Sequence, residues 1–351
     1  MTRTHHLAKR LICLPARIGM AIARFRWVMS VMALLLASQN LVVRAEQAVP
    51  VSMEAPAGMQ ILQSEDDAPP PTLITDIVYA EYETGPVRLH LISPGVRVSR
   101  LAGTQAVGDP LPWILYVPGS AWFPQNLARA IPNMIDFAKQ TGFAIAIAAY
   151  RPSTMAIAPA QLVDMKAAIR FLRANADSYN LDPARVAIWG TSSGGHMASL
   201  VGLTAENQAF ANEVHNAESD AVRAVVNFFG PTDFRRMNDY PSVIDHDAPT
   251  SPESVVVGGP IQDPRYRDKV NAYNPMTYVE ASRRAPPFLI MHGDRDALVP
   301  FNQSVLLYEA LRDAGQDVSF YKVAGAGHGD RFFTPSTLAV VTAFLKQHLA
   351  P

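Results

Sequence analysis

Short, nearly unbroken apolar runs recur at 113–117, 144–149 and 185–189. A strand covered on both faces needs an apolar side chain at nearly every position, so these runs predict buried strands. Further strands are expected at 221–229, 287–291 and 318–323, and two more at 77–81 and 87–92 near the start. Between them the spacing turns helical. Residues 160–174 place Leu162, Met165, Ala168, Ile169 and Leu172 on one face. Helices are also expected at 127–139, from about Gly194, at 303–314 (closed by Gly315) and at 336–349. Strands that alternate with helices predict an α/β fold, a mostly parallel eight-stranded sheet with helices on both faces. In such sheets functional residues gather beyond the carboxyl ends of the strands. Residues 235–277, rich in Pro, Asp and Gly, break the rhythm and are read as a small inserted cap or loop region.

The first 71 residues follow a different pattern. Arg24 and Arg26 precede an apolar run from Trp27 to Ala37, and Val43-Arg44-Ala45 offers small residues at the −3 and −1 positions of a cut before Glu46. This predicts a signal peptide over 1–45, with Met20 an alternative start. A retained membrane anchor is the other reading, although Gln39 and Asn40 interrupt a stretch that would need about 20 apolar residues to span. Residues 46–71, with Glu65-Asp66-Asp67 and Pro69-Pro70-Pro71, read as an extended linker. The catalytic domain is then expected over 72–351, in a protein that is secreted or periplasmic.

Charge sharpens this division. The formal net charge is −1, but residues 1–45 hold seven basic residues and no acid, leaving 23 basic against 31 acidic residues beyond them. An acidic body disfavours nucleic acid as a partner. The single cysteine, Cys13, lies in the leader. A processed chain would have no thiol for disulfides, zinc–thiolate sites or nucleophilic catalysis.

Three expected strand ends carry candidate chemistry. Gly190-Thr191-Ser192-Ser193-Gly194-Gly195-His196 follows the run at 185–189 and opens a helix. This is G-x-S-x-G in a strand–turn–helix setting, with Ser192 on a tight turn and glycines where side chains would clash. His292-Gly293-Asp294-Arg295-Asp296 follows 287–291, and Asp294 or Asp296 could orient a histidine; Asp233 is a third candidate. Gly325-Ala326-Gly327-His328 follows the last strand, and His328 is the best-placed base, in the order Ser…Asp…His. His328 would take the proton of Ser192, which then attacks a carbonyl to give an acyl-enzyme. The oxyanion formed would be held by the N–H of Ser193 and that of Ser120 or Ala121, in the loop Pro118-Gly119-Ser120-Ala121-Trp122. Trp122 and Tyr150 are expected to line a substrate pocket, as is Phe229, whereas Phe228 reads as core. No metal-ligand cluster is apparent, and Gly325-Ala326-Gly327, though like a dinucleotide loop, lies near the end of the chain without G-x-G-x-x-G spacing, so no cofactor is expected.

Taken together, Tyr150-Arg151-Pro152, the helix from Ala160, Gly190–His196, Phe229-Gly230-Pro231-Thr232-Asp233, Gly258-Gly259, His292–Pro300 and Gly325–His328 resemble the α/β-hydrolase superfamily. The resemblance is to the esterase group named for bifunctional acetylxylan/feruloyl esterases. It implies Asp296, in H-G-x-x-D-x-x-V-P, as the triad acid and a structural role for Asp233. It also implies an esterase of short acyl groups, such as acetyl or feruloyl esters of carbohydrates. One departure stands out: Pro118-Gly119-Ser120 replaces the His-Gly-Gly of many relatives. Backbone donors survive that change. A prolyl-oligopeptidase-type serine peptidase shares this fold but adds a large domain, for which 46–71 is too short. A non-catalytic binding protein on the same fold would be expected to lack a triad member.

Overall fold

A computed structural model describes residues 70–95, 109–212 and 214–351. The expected leader, and the linker up to residue 69, lie outside them. All eight expected strands form one sheet: β1 (Thr72–Tyr82), β2 (Gly85–Ser93), β3 (Leu111–Val117), β4 (Ala144–Ala148), β5 (Leu181–Thr191), β6 (Ala224–Phe228), β7 (Phe288–Gly293) and β8 (Val318–Val323). Their order is β1-β2-β4-β3-β5-β6-β7-β8. The β1/β2 and β2/β4 pairs are antiparallel and the other five are parallel. The sheet therefore puts the ends of β3, β5, β6, β7 and β8 along one edge.

Among the described residues, five helices of eleven or more residues cover the sheet: α1 (Ile131–Thr141), α2 (Ala160–Ala174), α3 (Ser193–Leu203), α4 (Asn302–Asp313) and α5 (Pro335–His348). The alternating side chains of the strands feed two cores. One packs Leu115, Ile188 and Val225 against Met165, Ile169 and Leu200. The other packs Ile114, Trp189 and Val226 against Phe137, Val341 and Leu345. The central strands β4 and β6 are buried along their whole length, which explains their uninterrupted apolar sequences.

Helix α2 is buried more completely than its apolar face predicts. Asp164, Lys166 and Arg170 are all buried. Each is paired, as a buried charge must be. Asp164 binds Arg151, and Asp220 accepts from both Lys166 and Arg170. The inserted region folds into short helical pieces, including Pro252–Val257 and Arg267–Tyr273. Among the described residues, no helix is long and apolar enough to cross a membrane.

Close backbone approach at the β5–α3 turn explains two glycines. A Cβ on Gly190 would lie 1.9 Å from the carbonyl oxygen of Gly194, and one on Gly194 would lie 1.9 Å from that of Val117. Backbone cannot yield as a flexible side chain can. Gly194→Ala is expected to lower Tm by roughly 10 °C or prevent folding, consistent with overpacking of about 3 kcal/mol. Thermal unfolding followed by circular dichroism checks this; a melt within 2 °C (about 1 kcal/mol or less) would contradict the contact.

Candidate active site

Three strand ends converge at the carboxyl edge. Ser192, between β5 and α3, has φ 54° and ψ −125°, a left-handed conformation that is costly for a residue with a side chain. The turn is pinned on both sides: Ser192 N donates to Phe228 O at the end of β6, and His196 N donates back to Ser192 O. His328 arrives on the loop after β8. Its Nε2 lies 2.9 Å from Ser192 Oγ and its Nδ1 lies 2.7 Å from Asp296 Oδ2. Nδ1 donates to the carboxylate, which leaves Nε2 free to accept from the serine hydroxyl. Ser192 and the His328 ring keep partial access to solvent, whereas the Asp296 side chain is fully buried.

The acid is held tightly. Asp296 Oδ1 accepts from the N–H groups of Leu298 and Val299. Its Oδ2 faces a second imidazole, His292 Nε2, at 3.2 Å. Burial alone would raise the carboxyl pKa. Hydrogen bonds from His292 and His328 outweigh it and hold Asp296 below the usual carboxylate range. His292 closes β7 and is fully buried. Its Nε2 is also 3.0 Å from Val299 O, and Nδ1 accepts from Ser304 Oγ. In the sequence alone His292 is no more than the end of a strand. The available signal was its place four residues before Asp296.

The other candidate acids lie elsewhere. Asp294 Oδ1 accepts from Gly325 N and so ties the acid loop to the loop that carries His328. Asp233 caps the 3₁₀ turn Phe234–Asp239, accepting from Arg235 N, and also accepts from Asn274. His196, in α3, is buried between Trp122, Phe234 and Tyr273, with Nε2 donating to Tyr273 O. Burial pushes its pKa down to about 3, so it stays neutral.

The oxyanion loop corrects one expectation. Ser120 N does not point to the site: it donates to Ser193 Oγ at 2.9 Å. Gly119 N is likewise taken by Thr191 Oγ1. The N–H groups of Ser193 and Ala121 make no hydrogen bond among the described residues, and they are the remaining pair of donors. Ala121 and Trp122 both have positive φ, 52° and 60°, a strained turn directly after Pro118-Gly119-Ser120.

Trp122 and Tyr150, expected on a pocket wall, are core residues at 1% and 3% exposure. An indole at this position fills the space beside His196 and Phe234. The Tyr150 hydroxyl contacts Ser120 Oγ at 3.0 Å and Ser193 Oγ at 3.1 Å, and so braces the oxyanion loop from behind. Phe229 is also buried, its ring edge-on to His328 at 4.7 Å between centroids. Phe228 is core, as read.

The inserted segment is bonded to this machinery. Val243 N donates to Ala297 O, Ser242 Oγ donates to Leu298 O, and His246 Nε2 lies 3.0 Å from Leu298 O. Among the described residues, no group of three or more His, Cys, Asp or Glu side chains is placed to hold a metal ion.

Comparison with known proteins agrees with this architecture. The chain is similar to Esterase LipC of Mycobacterium tuberculosis, 31% identical over 245 residues, covering 68% of this chain and 59% of that protein. It spans about half the length of the curated relatives it matches. Among solved structures, a truncated carbohydrate esterase from gut microbiota is 29% identical, with a TM-score of 0.68 over 82% of this chain and 99% of that one. A bifunctional GH43-CE protein of Bacteroides eggerthii is 33% identical, with a TM-score of 0.69 over 79% of this chain and 35% of that one. The BD-FAE family model matches residues 102–311, which include Ser192 and Asp296 and end before His328. That match covers more than half of the sequence, and with the eight-stranded sheet it makes the chain a member of the BD-FAE family, on the α/β-hydrolase fold.

Proposed function

We propose that the chain is an exported serine carboxylic-ester hydrolase acting on short-chain acyl esters, with carbohydrate acetyl or feruloyl esters as the substrate class. The observation that carries this reading is the continuous hydrogen-bonded line Ser192 Oγ–His328–Asp296, 2.9 Å and 2.7 Å long, at the sheet edge. Ser192 Oγ attacks the ester carbonyl while His328 Nε2 takes its proton. The N–H groups of Ser193 and Ala121 stabilise the resulting oxyanion. Collapse of this intermediate breaks the bond to the alcohol oxygen, which leaves with the proton from His328. Water then attacks the acyl-enzyme, giving a proton to His328; the bond to Ser192 Oγ breaks, His328 returns that proton to Oγ, and the carboxylic acid is released. Asp296 holds the imidazole in the useful tautomer and stabilises its cation. The relatives named as esterases and the carbohydrate esterase neighbour support the substrate class. Export rests on the leader pattern in 1–45.

Paraoxon tests the nucleophile, because it phosphorylates an activated serine. One diethylphosphoryl group per chain is expected on the peptide containing Ser192, with p-nitrophenyl acetate hydrolysis falling in proportion. Mass spectrometry and residual activity read the two together. Full activity in a completely labelled protein, or a label elsewhere, would overturn the assignment.

A further inference from the structure

A cavity of about 510 Å³ adjoins the nucleophile on the α1 side of the sheet edge. Thr191 and Gly119 both contribute to its wall. Gly119 packs so closely that a Cβ there would lie 2.7 Å from Ser192 Cβ, so Gly119 alone stands between this wall and the Ser192 side chain. Its volume falls in the range of small-molecule sites and exceeds what an acetyl group needs.

The lining has a definite chemistry. Phe333, half-buried and stacked on Trp189, gives one aromatic wall. Asn126, Arg129 and Asn133 give a polar one. Their spacing of three and four residues puts them on one side of the helical stretch that runs from Leu127 into α1. Among the described residues, Arg129 is the only charged side chain in the lining, and none of the lining side chains is a carboxylate. Two other guanidiniums, Arg151 and Arg170, are by contrast paired with Asp164 and Asp220. The Arg129 side chain makes no ion pair or hydrogen bond among the described residues, and it is exposed. A guanidinium offers a planar fork that matches a carboxylate, and the two amides can each donate to and accept from hydroxyls.

We propose that this cavity receives the alcohol half of the ester, and that it selects a sugar carrying a carboxylate, a uronic-acid residue, through Arg129. The proposal rests on the reading of Ser192 as the acyl-transfer nucleophile. The sugar's C–H face lies on Phe333, its hydroxyls reach Asn126 and Asn133, and its carboxylate reaches Arg129. The small acyl group sits at the Ser193 and Ala121 donors.

The test compares two acetyl esters within each protein: acetylated methyl glucuronoside and its uncharged glucuronamide counterpart, acetylated at the same hydroxyl. The ratio of their kcat/KM values is independent of how much active enzyme is present. The wild-type ratio is expected to be about fivefold, carried by KM, as for an exposed charge-assisted contact. It should fall toward one in Arg129→Gln, stay intermediate in Arg129→Lys, and shrink in about 0.5 M salt. An unchanged ratio in Arg129→Gln, or a wild-type ratio near one, would overturn the proposal. So would a charge preference confined to the acyl side, seen as faster cleavage of p-nitrophenyl hemisuccinate than of the butyrate. If no ester, p-nitrophenyl acetate included, is cleaved, the nucleophile reading has failed instead. Calorimetric titration with methyl glucuronoside then decides the subsite by itself: binding weakened in Arg129→Gln supports it, and equal or absent binding in both overturns it.

Discussion

Ser192→Ala is expected to lower kcat for p-nitrophenyl acetate by roughly 10⁶, the scale on which a serine hydrolase depends on its nucleophile. The reason is local. The Oγ is the atom 2.9 Å from His328 Nε2, and among the described residues no other hydroxyl is hydrogen-bonded to that imidazole. The neighbouring Ser193 Oγ cannot take over, because it is held by Ser120 N and Tyr150 Oη and is almost fully buried. Alanine at 192 meets the same backbone strain as serine at φ 54°, so the variant should fold and melt close to wild type. Steady-state rates with a purified, folded Ser192→Ala protein check the prediction. A rate within tenfold of wild type would mean that the tight turn at Ser192 is only a turn, and the binding-protein reading of the fold would then take precedence.

Much of the architecture behind this expectation can be read from local sequence. Strands β3 and β4 declare themselves because burial on both faces demands apolar residues throughout. The Ser192 turn declares itself because Gly190 and Gly194 are required by contacts within a few residues or with the adjacent strand. What escaped the sequence depends on distant partners. Asp164, Lys166 and Arg170 look like a solvated helix face, yet they are buried because Arg151 and Asp220 come from elsewhere in the chain to meet them. Ser120 N looks like a free donor until Ser193, 73 residues on, supplies an acceptor. Trp122 and Tyr150 carry the composition of a pocket wall, but Trp122 packs on His196 and Tyr150 reaches Ser193. The inserted segment gave no sign that it would bond to the acid loop at Ala297 and Leu298. Each miss is a tertiary pairing that no local pattern encodes.

The choice between two neighbouring acids yields the other large prediction. Asp296→Asn should cost about 10⁴ in kcat, as the same change does in serine proteases, whereas Asp294→Asn should stay within about threefold (well under 1 kcal/mol of barrier). The hydrogen bonds explain the difference. Asp296 Oδ1 must accept from Leu298 N and Val299 N, and Oδ2 must accept from His328 and His292. An amide has only one oxygen. If that oxygen faces the two backbone donors, its NH₂ faces two imidazoles. His328 Nδ1 can then only accept, and its proton moves to Nε2, where the proton of Ser192 should go. If the oxygen turns toward the imidazoles, the NH₂ meets two backbone N–H groups and the loop loses its anchor. Wild-type Asp296 does not approach either state near neutral pH, because His292 and His328 hold its pKa below the usual carboxylate range. By contrast, Asp294 uses one oxygen to accept from Gly325 N, and an asparagine oxygen can do the same. Comparing kcat for the two variants, with thermal melts to confirm folding, separates the assignments. If Asp294→Asn is the crippled protein and Asp296→Asn is not, the acid of this site is Asp294.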